Sequence, residues 1–100
     1  MLDISKILIY RIYQEALTNI MRHAEASEIF ISLHILNDYL ILSIEDNGTG
    51  IDSMKVNNFS SFGISAIRER ANALNADFEI GNRMQGGTFV KLIVPLYKNV

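Results

Sequence analysis

Asp46-Asn47-Gly48-Thr49-Gly50 places a carboxylate and two glycines directly after an alternating apolar run, Tyr39 to Glu45. Such a run reads as a strand, whose side chains alternate between faces with a period of two. Leu40, Leu42 and Ile44 therefore share one face, and Asp46 falls on it. A charge ending a buried apolar row costs free energy unless a donor meets it, and a ligand with an N–H edge is one such donor. The same five residues also suit a tight turn closed by an Asx hydrogen bond. Gly86-Gly87-Thr88 opens a second alternating run, with Thr88, Val90, Leu92 and Val94 on the inward face. A hydroxyl and a carboxylate at the same end of one sheet can share a water and grip one heterocycle. An ordinary hairpin turn explains the glycines equally well.

A second set of polar residues lies upstream. Glu15 and Asn19 are one helical turn apart, and Arg22 and His23 continue the line. Oxygen ligands of this kind suit Mg²⁺, which takes one or two protein ligands and leaves its other positions to water and phosphate. The alternative is the solvated face of an amphipathic helix. Gly63 stands at the start of another helical stretch, whose free N–H groups make an anion site. Ahead of it, Phe59, Ser60, Ser61 and Phe62 belong either to a lid or to a plain connection.

The elements that must position these groups follow from periodicity. Asp3 to about Ala24 contains no Gly or Pro, and Ile9, Tyr13, Ala16, Leu17, Ile20 and Ala24 form a helical core stripe. Arg11, Glu15, Asn19, Arg22 and His23 fall opposite. Glu28 to Leu36 alternates, with Ile29, Ile31, Leu33 and Ile35 expected inward, and Asn37-Asp38 turns it into the next strand as a hairpin. Asp52 to Phe62 is polar and aperiodic, the mark of a mobile loop. Helical spacing returns over Gly63 to Leu74 through Ile64, Ile67, Ala71 and Leu74. Two strands, Ala76 to Asn82 and Thr88 to Pro95, end the chain around a turn at Arg83 to Gly87. The order α-β-β-loop-α-β-β predicts an α+β fold, a two-layer sandwich with two helices on one face of a mixed, largely antiparallel sheet.

Composition narrows the function classes. One hundred residues, 49% hydrophobic, make a single domain spanning 1–100 with a real core. Without cysteine there is neither a disulfide framework nor a cysteine-ligated metal. A net charge of −2 with nine scattered Lys and Arg gives no nucleic-acid footprint. No apolar run reaches the roughly eighteen residues of a membrane span.

Taken together and in this order, the motifs resemble the ATP-binding catalytic domain of bacterial sensor histidine kinases. That domain belongs to the Bergerat-type superfamily shared with DNA gyrase, MutL and the heat-shock chaperones of the same fold. Gln14-Glu15-Ala16-Leu17-Thr18-Asn19-Ile20-Met21-Arg22-His23-Ala24 is similar to the family's N box, and Asp46 to Gly50 to its G1 box. Phe62-Gly63-Ile64, running into Ile67-Arg68-Glu69-Arg70-Ala71, resembles the G2 region, and Gly86-Gly87-Thr88 the last glycine motif. The wording of the N box and of the Arg-Glu-Arg helix, with a short lid, is similar to the subfamily paired with helix-turn-helix response regulators. One position departs. The family's Gly-x-Gly-Leu reads Ser61-Phe62-Gly63-Ile64 here, which removes a flexible backbone position from the lid.

The resemblance implies roles that spacing alone does not. Asp46 would accept from the adenine amine, helped by a water shared with Thr88. Asn19 would bind Mg²⁺ on the phosphates, and Glu15 would contact the metal or its water, where hydrolytic relatives carry a general base. Arg22 and His23 would touch phosphate or ribose. Gly48, Gly50, Ile51, Phe62, Gly63 and Ile64 would complete the nucleotide site. The implied activity is a protein-histidine kinase with ATP and Mg²⁺ as cofactors, on a monomeric domain cut from a longer chain. The implied setting is cytoplasmic, in a parent kinase that is soluble or membrane-anchored. The acceptor histidine would lie on a separate dimerisation domain, and the phosphoryl group would pass on to a response regulator. Only His23 and His34 occur here, one inside the N box and one turned outward on a strand. A related-fold ATPase, a serine kinase of the anti-sigma-factor type and a non-catalytic nucleotide-binding module are the alternatives.

Overall fold

Six elements alternate as the periodicity predicts: α1 (Asp3–His23), β1 (Ile29–Leu36), β2 (Tyr39–Asp46), α2 (Ile64–Ala73), β3 (Asp77–Asn82) and β4 (Thr88–Pro95). The computed structural model describes residues 3–23, 25–49 and 64–96, with Arg22 and His23 in backbone only. Ala24 and the expected loop at 52–62 lie outside the described residues.

The strands form one sheet in the order β1-β2-β4-β3. All three ladders are antiparallel. The expectation of a mixed sheet is thus corrected for the described residues, because each hairpin partner returns directly beside its neighbour and the two hairpins meet through β2 and β4. Turn chemistry sets this up. Asn37 and Asp38 take φ of 50° and 67°, the left-handed pair that matches the twist of a two-residue hairpin. Leu96 N–H then donates to the Asp38 carbonyl at 2.9 Å, tying the end of β4 to that turn.

Both helices lie on one face of the sheet, α1 against β2 and α2 against β3. Buried Ile12, Ala16 and Ile20 of α1 meet Leu42 and Ile44 of β2, Ile67 and Ala71 of α2, and Val90, Leu92 and Val94 of β4. Ile12, fully buried, was not in the expected stripe, whose Ile9, Tyr13 and Leu17 are only half-buried. The stripe is rotated because α1 packs against α2 as well as the sheet. Helix α2 stops through a Schellman motif. Asn75 has φ of 55°, Ala76 N–H reaches the Ala71 carbonyl at 2.9 Å and Asn75 N–H the Asn72 carbonyl at 3.1 Å.

Strand β1 overturns one expectation. Ile29, Ile31, Leu33 and Ile35 pair with Asp46, Ile44, Leu42 and Leu40, so they do share the core face. They are nonetheless exposed, Leu33 to 61%. Among the described residues no helix lies over this edge strand. An apolar groove of about 440 Å³ runs there instead, lined by Tyr10, Tyr13, Ile31, Leu33 and Leu40 among others.

Candidate functional site

Asp46 ends β2 and is completely buried. The Asx turn foreseen from the sequence is present, with Gly48 N–H donating to Asp46 Oδ1 at 2.7 Å. That bond occupies one oxygen. Oδ2 is buried as well, and among the described residues nothing hydrogen-bonds to it. A buried acceptor left unmet costs about 1–3 kcal/mol, and more when charged, so the turn alone does not explain this carboxylate. The turn accounts for Oδ1 and leaves Oδ2 without a donor among the described residues.

Thr88 begins β4 and is 7% exposed. The β2–β4 ladder pairs Glu45 with Phe89, and the same register carried one step further sets Thr88 opposite Asp46. These are the two buried polar residues of the described core, brought to one end of adjacent central strands. The preceding glycines have distinct jobs. Gly86 and Gly87 take φ of 99° and 95°, but a Cβ on Gly86 would meet open space, whereas one on Gly87 would overlap the Asp46 carbonyl oxygen. Gly87 is thus required for contact between the turn and the end of β2.

Several residues around Asp46 carried no signal in the sequence. Arg83 Nη1 donates to the Asp46 carbonyl at 2.8 Å, and Arg83 Nε lies 3.1 Å from Glu45 Oε1. Asn47 braces the other side. Its Oδ1 accepts from Ser27 N–H at 3.0 Å and Glu28 N–H at 2.9 Å, while Nδ2 donates to Ser27 Oγ at 2.9 Å. Both depend on pairings across 19 or more positions, which local spacing does not reveal. The only hint was the position of Asn47 inside the glycine motif.

Glu15 and Asn19 lie on α1, half-buried rather than fully solvated, next to buried Ala16 and Ile20. Arg22 and His23 form the last turn of that helix. Ile64, the first residue of α2, is buried. Gly50, Ile51, Phe62 and Gly63 lie outside the described residues. The described residues contain no cluster of three or more His, Asp or Glu able to cage a metal. Glu15 and Asn19, one helical turn apart, carry oxygen donors of the type Mg²⁺ takes.

Known proteins resemble this chain in sequence and fold. Residues 4–98 match the model of the histidine kinase-, DNA gyrase B- and HSP90-like ATPases. The chain is 36% identical over 93 residues to the signal transduction histidine-protein kinase/phosphatase DegS of Bacillus subtilis, covering 91% of this chain and 24% of DegS. It is also 36% identical to the sensor protein VraS of Staphylococcus aureus, covering 90% of this chain and 26% of VraS. It thus spans about a quarter of the length of these curated relatives. Among solved structures, the blue-light activated histidine kinase of Erythrobacter litoralis superposes with a TM-score of 0.76 at 25% identity, over 89% of this chain and 30% of that one. The ATP-binding domain of PrrB from Mycobacterium tuberculosis shares the fold, with a TM-score of 0.76 at 20% identity over 92% of this chain and 69% of that one. A family match over nearly the whole chain, on an antiparallel α+β sandwich with a buried aspartate beside a glycine turn, makes this chain a member of the histidine kinase-, DNA gyrase B- and HSP90-like ATPase family.

Proposed function

We propose that this domain binds ATP with Mg²⁺ and serves as the catalytic domain of a sensor histidine kinase. The γ-phosphoryl group would pass to a histidine on a separate dimerisation domain. One observation carries the nucleotide reading: Asp46 Oδ2 is buried and unmet while its partner oxygen is held by Gly48. An exocyclic amine is the donor that position lacks, and adenine has one at C6.

The other roles build outward from there. Thr88, opposite Asp46 at the strand end, supports a water shared with the base. Gly48 and Gly50 allow close backbone approach, and Ile51, Phe62, Gly63 and Ile64 complete the nucleotide-facing set. Asn19 and Glu15 hold Mg²⁺, with Arg22 and His23 toward phosphate or ribose. Bound Mg²⁺ neutralises charge on the phosphate oxygens. In the transfer, the bond between the γ-phosphorus and its bridging oxygen breaks, ADP leaves, and a P–N bond forms at the acceptor imidazole. Such a reaction asks the protein for positioning and charge neutralisation more than covalent chemistry. The relatives' names support the kinase assignment. A cytoplasmic, monomeric module acting through its dimerisation domain on a response regulator completes the proposal.

Calorimetry with ATP and GTP tests the base assignment. Guanine presents a carbonyl where adenine has the amine, so two acceptors would face each other and GTP should bind at least about 30-fold more weakly. Asp46→Asn, nearly isosteric, should remove detectable ATP binding while the melting curve stays cooperative. Equal affinities for the two nucleotides, or a folded Asp46→Asn variant that still binds ATP, would reduce Asp46 to a turn residue.

A further inference from the structure

Asp46 can present Oδ2 to a base only if its own backbone is held still. Although it pairs with Ile29 of β1, the ladder on its β4 side ends one residue earlier, at Glu45 and Phe89. The peptide carbonyl of Asp46 is held by Arg83 Nη1 at 2.8 Å, and its carboxylate is pinned through Oδ1 by Gly48 N–H at 2.7 Å. One bond sets the main chain and the other the side chain. We propose that Arg83 is a positioning residue for base recognition, fixing Asp46 through its carbonyl and tying the glycine turn ahead of Thr88 to the end of β2. This rests on the reading of Asp46 as the acceptor for an exocyclic amine.

Arg83 is built for that task. Its side chain is only 12% exposed. The guanidinium carbon lies 5.4 Å from the centre of the Phe30 ring on β1, and Nε stands 3.1 Å from Glu45 Oε1, close enough for charge attraction although the N–H is not aimed along that line. A planar, permanently charged fork can meet a ring face, a carboxylate and a carbonyl together, which an ammonium cannot. The backbone of the same residue closes the turn. Arg83 N–H donates to the Gly87 carbonyl at 2.9 Å, and the Arg83 carbonyl accepts from Gly86 N–H at 3.2 Å. Gly87 then lies against the Asp46 carbonyl with no room for a Cβ. The two buried polar residues, Asp46 and Thr88, thus sit on segments joined by one arginine. Phe30 and Glu45 hold that arginine in place from β1 and β2.

A residue that merely stabilises the fold would weaken every ligand alike. One that positions Asp46 must act on recognition of the amine. The test measures ADP and purine riboside 5′-diphosphate, which lacks the 6-amine, on the wild-type chain, Arg83→Ala and Arg83→Lys by calorimetry, with melting curves alongside. Wild type should prefer ADP by about 30-fold, the scale of one charge-assisted hydrogen bond. In Arg83→Ala the preference should fall below about fivefold, mostly through weaker ADP binding, because Asp46 is no longer held. Arg83→Lys retains a donor for the carbonyl but not the fork, so its preference should lie between the two, and it carries the test if the alanine variant does not fold. A variant with a lowered melting temperature but the full wild-type preference would overturn the role of Arg83 alone. A wild-type chain that binds both diphosphates equally would overturn the Asp46 reading, and this proposal with it.

Discussion

Asp46 and Asn19 are both polar residues on elements that pack against the core, yet burial separates their roles. Asp46 is sealed from solvent with one oxygen unmet, whereas Asn19 stays half-buried on α1. A metal ligand contributes only while the metal is present. Asn19→Ala should therefore weaken ATP binding about tenfold with Mg²⁺ and less than about twofold in EDTA, read by thermal shift or calorimetry. Equal losses in both conditions would make Asn19 a packing residue of α1. The carboxylate itself was legible in the sequence, because strand alternation put it on the apolar face and the glycines marked a turn. The division of labour between its two oxygens was not. That depends on where Gly48 N–H points and on which atoms the folded sheet seals away.

At the level of elements, the glycine turn and the edge strand give contrasting predictions. Gly86 and Gly87 are adjacent and share a positive φ, but only Gly87 touches Asp46. Gly86→Ala should cost about 1 kcal/mol, from backbone strain alone. Gly87→Ala adds a collision with the Asp46 carbonyl, so urea unfolding should show a loss above about 2 kcal/mol, with nucleotide binding lost in any folded fraction. On the apolar face, Leu33 and Leu42 are cross-strand partners with opposite fates, 61% and 5% exposed. Leu42→Ala should cost about 2–5 kcal/mol by leaving a cavity, and Leu33→Ala less than about 1 kcal/mol, both from chemical denaturation. Periodicity placed both leucines on the same face, correctly. It carried no information on where the helices stop covering that face, since this is set by how α1 and α2 pack against each other.

For the whole molecule, the decisive point is where its two histidines stand. His34 is exposed on edge strand β1, and His23 ends α1, so the histidines belong to elements with other tasks. The chain alone should not label itself from radioactive ATP, but should label a supplied dimerisation domain carrying an acceptor histidine, because transfer needs an in-line nucleophile at the γ-phosphate. Acid-labile label on His23, or ATP turnover at about 1 per second or faster, would move the chain to a self-phosphorylating or hydrolytic role. The order of elements, the hairpin at Asn37-Asp38, the inward placement of Asp46 and Thr88 and the family were all legible in the residues. All of these follow from local periodicity, turn chemistry and motif spacing, which act over a few residues. Three features emerge only when the chain is folded: among the described residues every ladder is antiparallel, β1 lies bare, and Arg83 reaches the carbonyl of Asp46. Those features depend on residues far apart in the chain, 37 positions for Arg83 and Asp46, meeting in one register, and such meetings are settled by packing of the whole core rather than by any local preference.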